Sequence, residues 1–171
     1  DATSSSGSAA MSVVTSTDAD LDILPGAKAG SGNIVKGELY QTPPDLDFKD
    51  LPAAAVKDQG QGMVDIQVFI PPNSDDSLSE IIKIVNNDSI DYNVGFDFTD
   101  VAIEDKATAE GVFTFHTGSD TEGTKISGSN GSSLTNSTEV TSGGEKQVTI
   151  GFDSTNYSQT PGDFDENDSS T

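Results

Sequence analysis

A chain of 171 residues is long enough to bury roughly two thirds of its unfolded surface around one core, so a single domain with tails is expected. Twenty-nine acidic residues stand against eight basic ones, a formal net charge of −21, and all eight bases are lysines. With no arginine to fork onto a phosphate and a field that repels polyanions, the composition argues against nucleic acid as a partner.

Asp1 apart, the acids run from Asp18 to Asp168 rather than forming one block. A compact state of this charge repels itself in dilute buffer and is relieved in molar salt, where the Debye length falls to about 3 Å, so the composition points to a halophile. A surface that is acidic merely for solubility is the plainer alternative. No cysteine is present, which removes disulfides and thiolate metal sites. No apolar run approaches the ~20 residues that span a bilayer, and the chain begins at Asp1 instead of Met, which reads as a mature protein whose export signal has been removed.

In chain order, Asp1 to Thr17 is small and nearly uncharged, apolar chiefly at Met11, Val13 and Val14, and reads as a flexible terminus or a strand awaiting a partner. Leu21, Ile23 and Leu24 form a short strand stopped by Pro25-Gly26, and residues 34–40 form another after a Gly-rich turn. Gln41 to Gly62 holds Pro43, Pro44 and Pro52 and reads as a long crossing connection, with one helical turn opened by Pro52 and running through Val56. Met63 to Ile70 alternates cleanly, with Val64, Ile66, Val68 and Ile70 inward.

The stretch around which the rest is organised is Leu78 to Asp100, two apolar alternating runs joined by Asn86, Asn87, Asp88 and Ser89. It reads as a central β-hairpin, with Ile82 and Ile84 on one face, Ile81 and Val85 on the other, and Tyr92, Val94, Phe96 and Phe98 sharing a face. Gly111 to His116 follows as a strand with Phe113 and Phe115 on one face. Thr117 to Gly144 is too polar to be more than a surface excursion or a weak edge hairpin. Lys146 to Phe152 puts Val148, Ile150 and Phe152 on one face, and residues 157–171 form an acidic mobile tail. Seven to nine strands, no long helix and no repeat predict an all-β fold: an antiparallel β-sandwich of jelly-roll or Greek-key type over residues 18–156, preceded by a 1–17 extension.

Chemistry is sparse. His116 is the sole histidine, with no Cys partner and no H-E-x-x-H, so it reads as a strand-end or surface imidazole and not a zinc ligand. No G-x-S-x-G elbow is present, and carboxylate pairs are too numerous to inform. The chain reads as non-enzymatic and without cofactor. Asp45, Asp47 and Asp50 crowd into one loop, where hard oxygen ligands suit Ca²⁺, but the spacing departs from a calcium-hand loop and a solvated acidic loop is the favoured reading. Sequons at Asn87, Asn130, Asn136, Asn156 and Asn167 are glycosylation candidates consistent with export, Asn130 and Asn136 best placed in a loop-like stretch and Asn87 at the hairpin tip.

The run EIIKIVNNDSIDYNVGFDFTD with the later GGEKQVTIGFDST, and the opening AMSVVTSTDADLDILPG, resembles the TasA- and camelysin-like secreted archaeal fibre-subunit family, over roughly Leu78 to Thr155 plus that opening. The resemblance implies a secreted jelly-roll sandwich polymerised into an extracellular filament by donor-strand exchange. The donor segment would span Ser8 to Thr15, including Ala10, Met11, Val13 and Val14, and would leave its own domain to complete a sheet in a neighbouring copy, giving a head-to-tail homopolymer. The peptidase branch of the family has no counterpart here, since its metal-binding helix motif is missing. The alternatives are a monomeric sandwich and a virion or cell-surface decoration protein of a halophile.

Overall fold

The computed structural model describes residues 7–15, 20–41, 48–98, 111–130 and 133–155. It is all-β, with two four-stranded sheets. The first has the order β1-β5-β4-β3, from β1 (Gly7–Val13), β3 (Ile34–Lys36), β4 (Ala53–Gly60) and β5 (Met63–Ile70), antiparallel except for the parallel β3–β4 pair. The second, wholly antiparallel, has the order β2-β6-β12-β8, from β2 (Leu21–Pro25), β6 (Asp75–Asn86), β8 (Phe113–Thr117) and β12 (Glu145–Asp153). Two short pairs complete it, β7 (Tyr92–Val94) with β11 (Thr138–Val140) and β9 (Ser129–Asn130) with β10 (Ser133–Leu134).

Both sheets feed one hydrophobic core. The inward residues of β5, Val64, Ile66, Val68 and Ile70, are essentially inaccessible, as the alternation predicts, and meet Ile23, Leu78, Ile82, Ile84, Val148, Ile150 and Phe152 from the second sheet. Burying each such side chain contributes roughly 1.5–3 kcal/mol relative to leaving it in water. Phe113 and Phe115 are buried as expected, and Val94, Phe96 and Phe98 pack on the core from one face, with Phe96 stacked on Phe115 at 4.4 Å between ring centroids.

Several expectations are corrected. The central hairpin does not form: β6 pairs with β2 and β12, and β7 pairs with β11 some forty residues on in sequence. The cause is Asn86, whose side chain is fully buried at the end of β6. Its Nδ2 donates to the carbonyls of Ile90 (2.8 Å) and Val140 (3.0 Å), and its Oδ1 accepts from the Asp88 N–H (2.9 Å). That amide ties the turn to β11, so β7 leaves β6 and adds to a different partner.

The two-face reading of β6 also fails at one point, because Ile81 and Ile82 are both fully buried. A bulge explains it: Ile82 faces Val148 and Leu78 faces Ile150, so three β6 residues oppose Thr149 alone, and Glu80 takes φ 46°. The buried Thr149 hydroxyl accepts from the Glu80 N–H (3.0 Å) and donates to the Gly118 carbonyl (2.7 Å), which satisfies the bulge. Gly26 is required beside it, since a Cβ there would lie 2.2 Å from the Glu80 oxygen.

The connection read over Gln41 to Gly62 contains β4, a central strand. Ala53, Ala54, Ala55 and Val56 are buried on both faces, so they show no alternation, and Pro52 precedes a strand, not a helical turn. The Thr117–Gly144 excursion does carry the weak β9–β10 hairpin, yet it also supplies Ile126 and Val140 to the core. Within the 1–17 segment, Gly7–Val13 forms β1 of the first sheet, and residues 1–6, 16 and 17 lie outside the described residues. The acidic tail lies outside the described residues.

Charge leaves a mark on the ladder. Asp75 of β6 stands directly opposite Asp153 of β12, a like-charge cross-strand pair. Asp75→Lys is therefore expected to stabilise the fold by about 0.5 kcal/mol, more in dilute buffer than in molar salt, as read by chemical denaturation.

Candidate functional site

The free edge of a sheet is where a β protein makes contacts through its backbone, and the two four-stranded sheets have four outer strands, β1, β3, β2 and β8. The edge of β2 is met by the β4–β5 turn, where the Ile23 N–H donates to the Gly62 carbonyl at 2.8 Å. Gly62 has φ +78°, and a Cβ on it would lie 2.7 Å from the Asp22 carboxylate, so the turn can approach this closely because it carries no side chain there. The edge of β8 is covered by residues 124–127, with the Ile126 N–H on the Phe115 carbonyl (2.8 Å) and the Thr117 N–H on the Thr124 carbonyl (3.0 Å). The edge of β3 is short and folded over, the Gly30 N–H donating to the Ile34 carbonyl at 2.8 Å.

The remaining edge is β1. It pairs with β5 over seven positions, from Gly7 opposite Ile70 to Val13 opposite Val64, and among the described residues no strand lies on its other side. Val13 is buried and Met11 packs on the core, while Ser12 is exposed and its hydroxyl donates to Asp65 Oδ1 at 2.5 Å. Gln59 Nε2 donates to the other oxygen of the same carboxylate at 2.6 Å, so Asp65 links β1, β5 and β4. The segment expected to leave its domain therefore completes its own sheet in this structure. Of the donor residues named from sequence, Ser8, Ala10, Met11 and Val13 lie in the ladder, whereas Val14 lies past its end and is 56 % exposed.

No family model, curated protein or solved structure matches this chain.

The other candidate residues are scattered. Asp45 and Asp47 lie outside the described residues, Asp50 ends a single 3-10 turn, and no cluster of three or more metal-ligating side chains occurs among the described residues. Asn87 is exposed, its Nδ2 donating to Asp22 at 2.9 Å. Asn136, expected in an open loop, is half-buried, with Nδ2 on the Ser127 carbonyl at 2.7 Å and its own carbonyl against Gly95. The side chain of Asn130, and Asn156 and Asn167 entirely, lie outside the described residues.

His116 is the penultimate residue of β8 and is buried rather than at the surface. Its Nε2 lies 2.7 Å from the Thr114 hydroxyl and its Nδ1 3.3 Å from the Gly123 carbonyl, a carbonyl that only a protonated Nδ1 can engage. Both ring nitrogens are thus occupied within the protein. A shallow depression of about 280 Å³ between the sheets' edges is lined by Leu24, Pro25, Lys36, Gly37, Asp58 and Lys83.

At the turn after β6 the Tyr92 hydroxyl donates to Asp88 at 2.6 Å, and that bond, followed by the Ser89 N–H, holds the Asp88 carboxyl below its ordinary value while raising the Tyr92 phenol. A carboxyl whose folded pKa is depressed contributes stability that is present above its unfolded pKa and is lost as pH falls through the lowered folded value. Tyr92→Phe should therefore lower stability at neutral pH and leave acid pH nearly unchanged, which flattens the acid limb of the stability profile, as followed by thermal melts from acidic to neutral pH.

Proposed function

We propose that this chain is a non-enzymatic structural subunit, a jelly-roll or Greek-key sandwich that works outside the cell in high salt and polymerises by passing β1 from one copy to the β5 edge of the next. The observation that carries this reading is the β1–β5 ladder: a seven-position strand held by pairing along one side, whose removal opens the β5 edge and uncovers part of the core. An edge that accepts β1 from its own chain accepts it equally from another, since the contacts are the same, and such exchange is a low-cost route to assembly. A head-to-tail exchange that does not close on itself gives a filament. The resemblance to secreted fibre subunits supports the same assignment, and the acid excess supports the saline setting.

The pairing of β1 within one chain favours a second reading, a monomeric surface domain in which β1 is simply the outermost strand. Negative-stain microscopy of the purified protein in molar salt separates the two. Filaments are expected for the full chain, and none after deletion of residues 1–13. That truncated domain should remain folded but lose about 3 kcal/mol, from the burial of Val13 and part of Met11 together with the ladder. Filaments from the truncated protein would refute exchange of β1, and a full chain that stays monomeric would favour the second reading.

A further inference from the structure

The ladder with β5 uses one side of β1, and the other side is a second, unassigned contact surface. We infer that this outer edge pairs antiparallel with the same edge of a second copy, joining two four-stranded sheets into one continuous sheet across a two-fold axis. The contact is independent of whether β1 sits on its own β5 or on a neighbour's, because it lies on the opposite side of the strand, and so it goes beyond the exchange reading.

Three observations on this molecule lead there. First, the fold guards its other edges, β2 with Gly62, β8 with residues 124–127 and β3 with Gly30, while among the described residues β1 has no backbone partner beyond β5. Proteins ordinarily blunt an open edge with charge, proline, a bulge or a cover, and among the described residues β1 carries none of these: Gly7–Val13 contains neither a charged residue nor proline and runs in unbroken register. Second, the chain carries −21, so two copies meet with least repulsion where neither brings an acid, and residues 2–17 contain no charged side chain. A basic partner would find nothing to pair with on this edge, which leaves a second copy as the occupant that the charge distribution favours. Third, antiparallel pairing of a strand with itself is self-complementary about its centre, and the central residue of β1 is Ala10, with three positions on either side.

The geometry makes a clean reporter, because the protein has no cysteine of its own. Residues facing each other across an antiparallel pair have Cα atoms about 4.5–5.5 Å apart, within the span a disulfide accepts. Ala10→Cys is expected to give a disulfide-linked dimer on mild oxidation of the folded protein in molar salt. Val35→Cys on the folded-over edge of β3, 40 % exposed, serves as the collision control and should remain largely unlinked. Sedimentation of the unmodified protein at concentrations too low for filaments should show a dimer that grows with salt concentration, since screening weakens the repulsion it must overcome. If Ala10→Cys links no faster than Val35→Cys, or if the unmodified protein sediments as a monomer at every salt concentration, the edge pairing is overturned. The truncated protein lacking residues 1–13, which is expected to keep its fold, should lose the salt-dependent dimer; retention of that dimer would place the contact elsewhere and likewise refute the inference.

Discussion

Asn86→Asp should destabilise the domain by about 3–5 kcal/mol, the largest effect expected of any single isosteric change in this chain. The wild-type amide donates to two carbonyls, those of Ile90 and Val140, and accepts the Asp88 N–H, all from a side chain with no solvent exposure. A carboxylate in the same place turns an oxygen toward both carbonyls, and each acceptor left without a donor costs about 1–3 kcal/mol before the burial of the charge is counted. Protonation restores one donor. The variant's carboxyl is therefore raised above its unfolded value, and the loss is smallest at acid pH and grows as pH rises through the ordinary carboxylate range. Asn86→Ala, which removes the donors without adding a charge, should lose about 2 kcal/mol with no such pH dependence. Denaturant titrations of the three proteins at acid and neutral pH decide the matter, and equal losses for the two variants at neutral pH would contradict the role given to the amide.

The second large effect is general to the molecule: transfer from molar to millimolar salt should unfold it or lower its melting temperature by roughly 10 °C. Two like charges about 10 Å apart repel by about 0.4 kcal/mol in water, almost all of which is screened when the Debye length is about 3 Å and most of which returns when it is about 30 Å. With a net excess of 21 negative charges, about a dozen such pairs restore roughly 4 kcal/mol of repulsion, a large share of the 5–15 kcal/mol typical of a domain. For a chain of this size each kcal/mol moves the melting temperature by about 2–4 °C. Ion pairs such as Lys83–Glu145 (3.0 Å) are partly exposed and offset little of this. Calorimetry across a salt series reads the effect, and a melting temperature independent of salt would remove the argument for a saline habitat.

How much of this fold could be read in the sequence depended on whether each element kept one face wet. Met63–Ile70 and Phe113–Phe115 have a clear inward face, so period two announced them, whereas Val148–Phe152 is buried on both faces and was announced by the alternation of its residue types, Val148, Ile150 and Phe152 about Thr149 and Gly151. Ala53–Val56 is covered on both faces and is built from small side chains, which leaves no alternation to find, and the preceding proline suggested a loop. The hairpin assigned to Leu78–Asp100 failed for a different reason. Both strands were legible, but their partner was not, because the deciding contact joins Asn86 to Val140 over 54 positions. A polar side chain between two apolar runs looks like a turn, and only the tertiary neighbours reveal it as a buried pin. The bulge at Glu80, which brings Ile81 and Ile82 into the core together, is likewise written in the position of Thr149 on another strand.

The same limit applies to the candidate site. That Gly7–Val13 is a strand in need of a partner was visible in its apolar, uncharged composition, but which edge it meets is a matter of topology. The resemblance to fibre subunits led to the expectation of an arm leaving its own domain, and the ladder places it on its own β5 instead. Exchange between copies remains a proposal built on that ladder. Its edge neighbours, Gly62 against β2 and Ile126 against β8, were invisible locally, since both come from stretches that read as turns or loops.

The most direct test of the account is the disulfide between positions 10 and 67. Ala10 faces Gln67 in the β1–β5 ladder, so the double variant Ala10→Cys/Gln67→Cys reports where β1 is seated. To keep bonds between two position-10 cysteines from confusing the reading, the linked peptides are identified by mass spectrometry after proteolysis and the products are sized without reductant. In material assembled in molar salt, exchange of β1 predicts 10–67 bonds that join different chains into a ladder of covalent multimers. If every 10–67 bond closes within a single chain in that same material, β1 never leaves its own sheet, and the protein is a self-contained sandwich and not a strand-exchanging subunit.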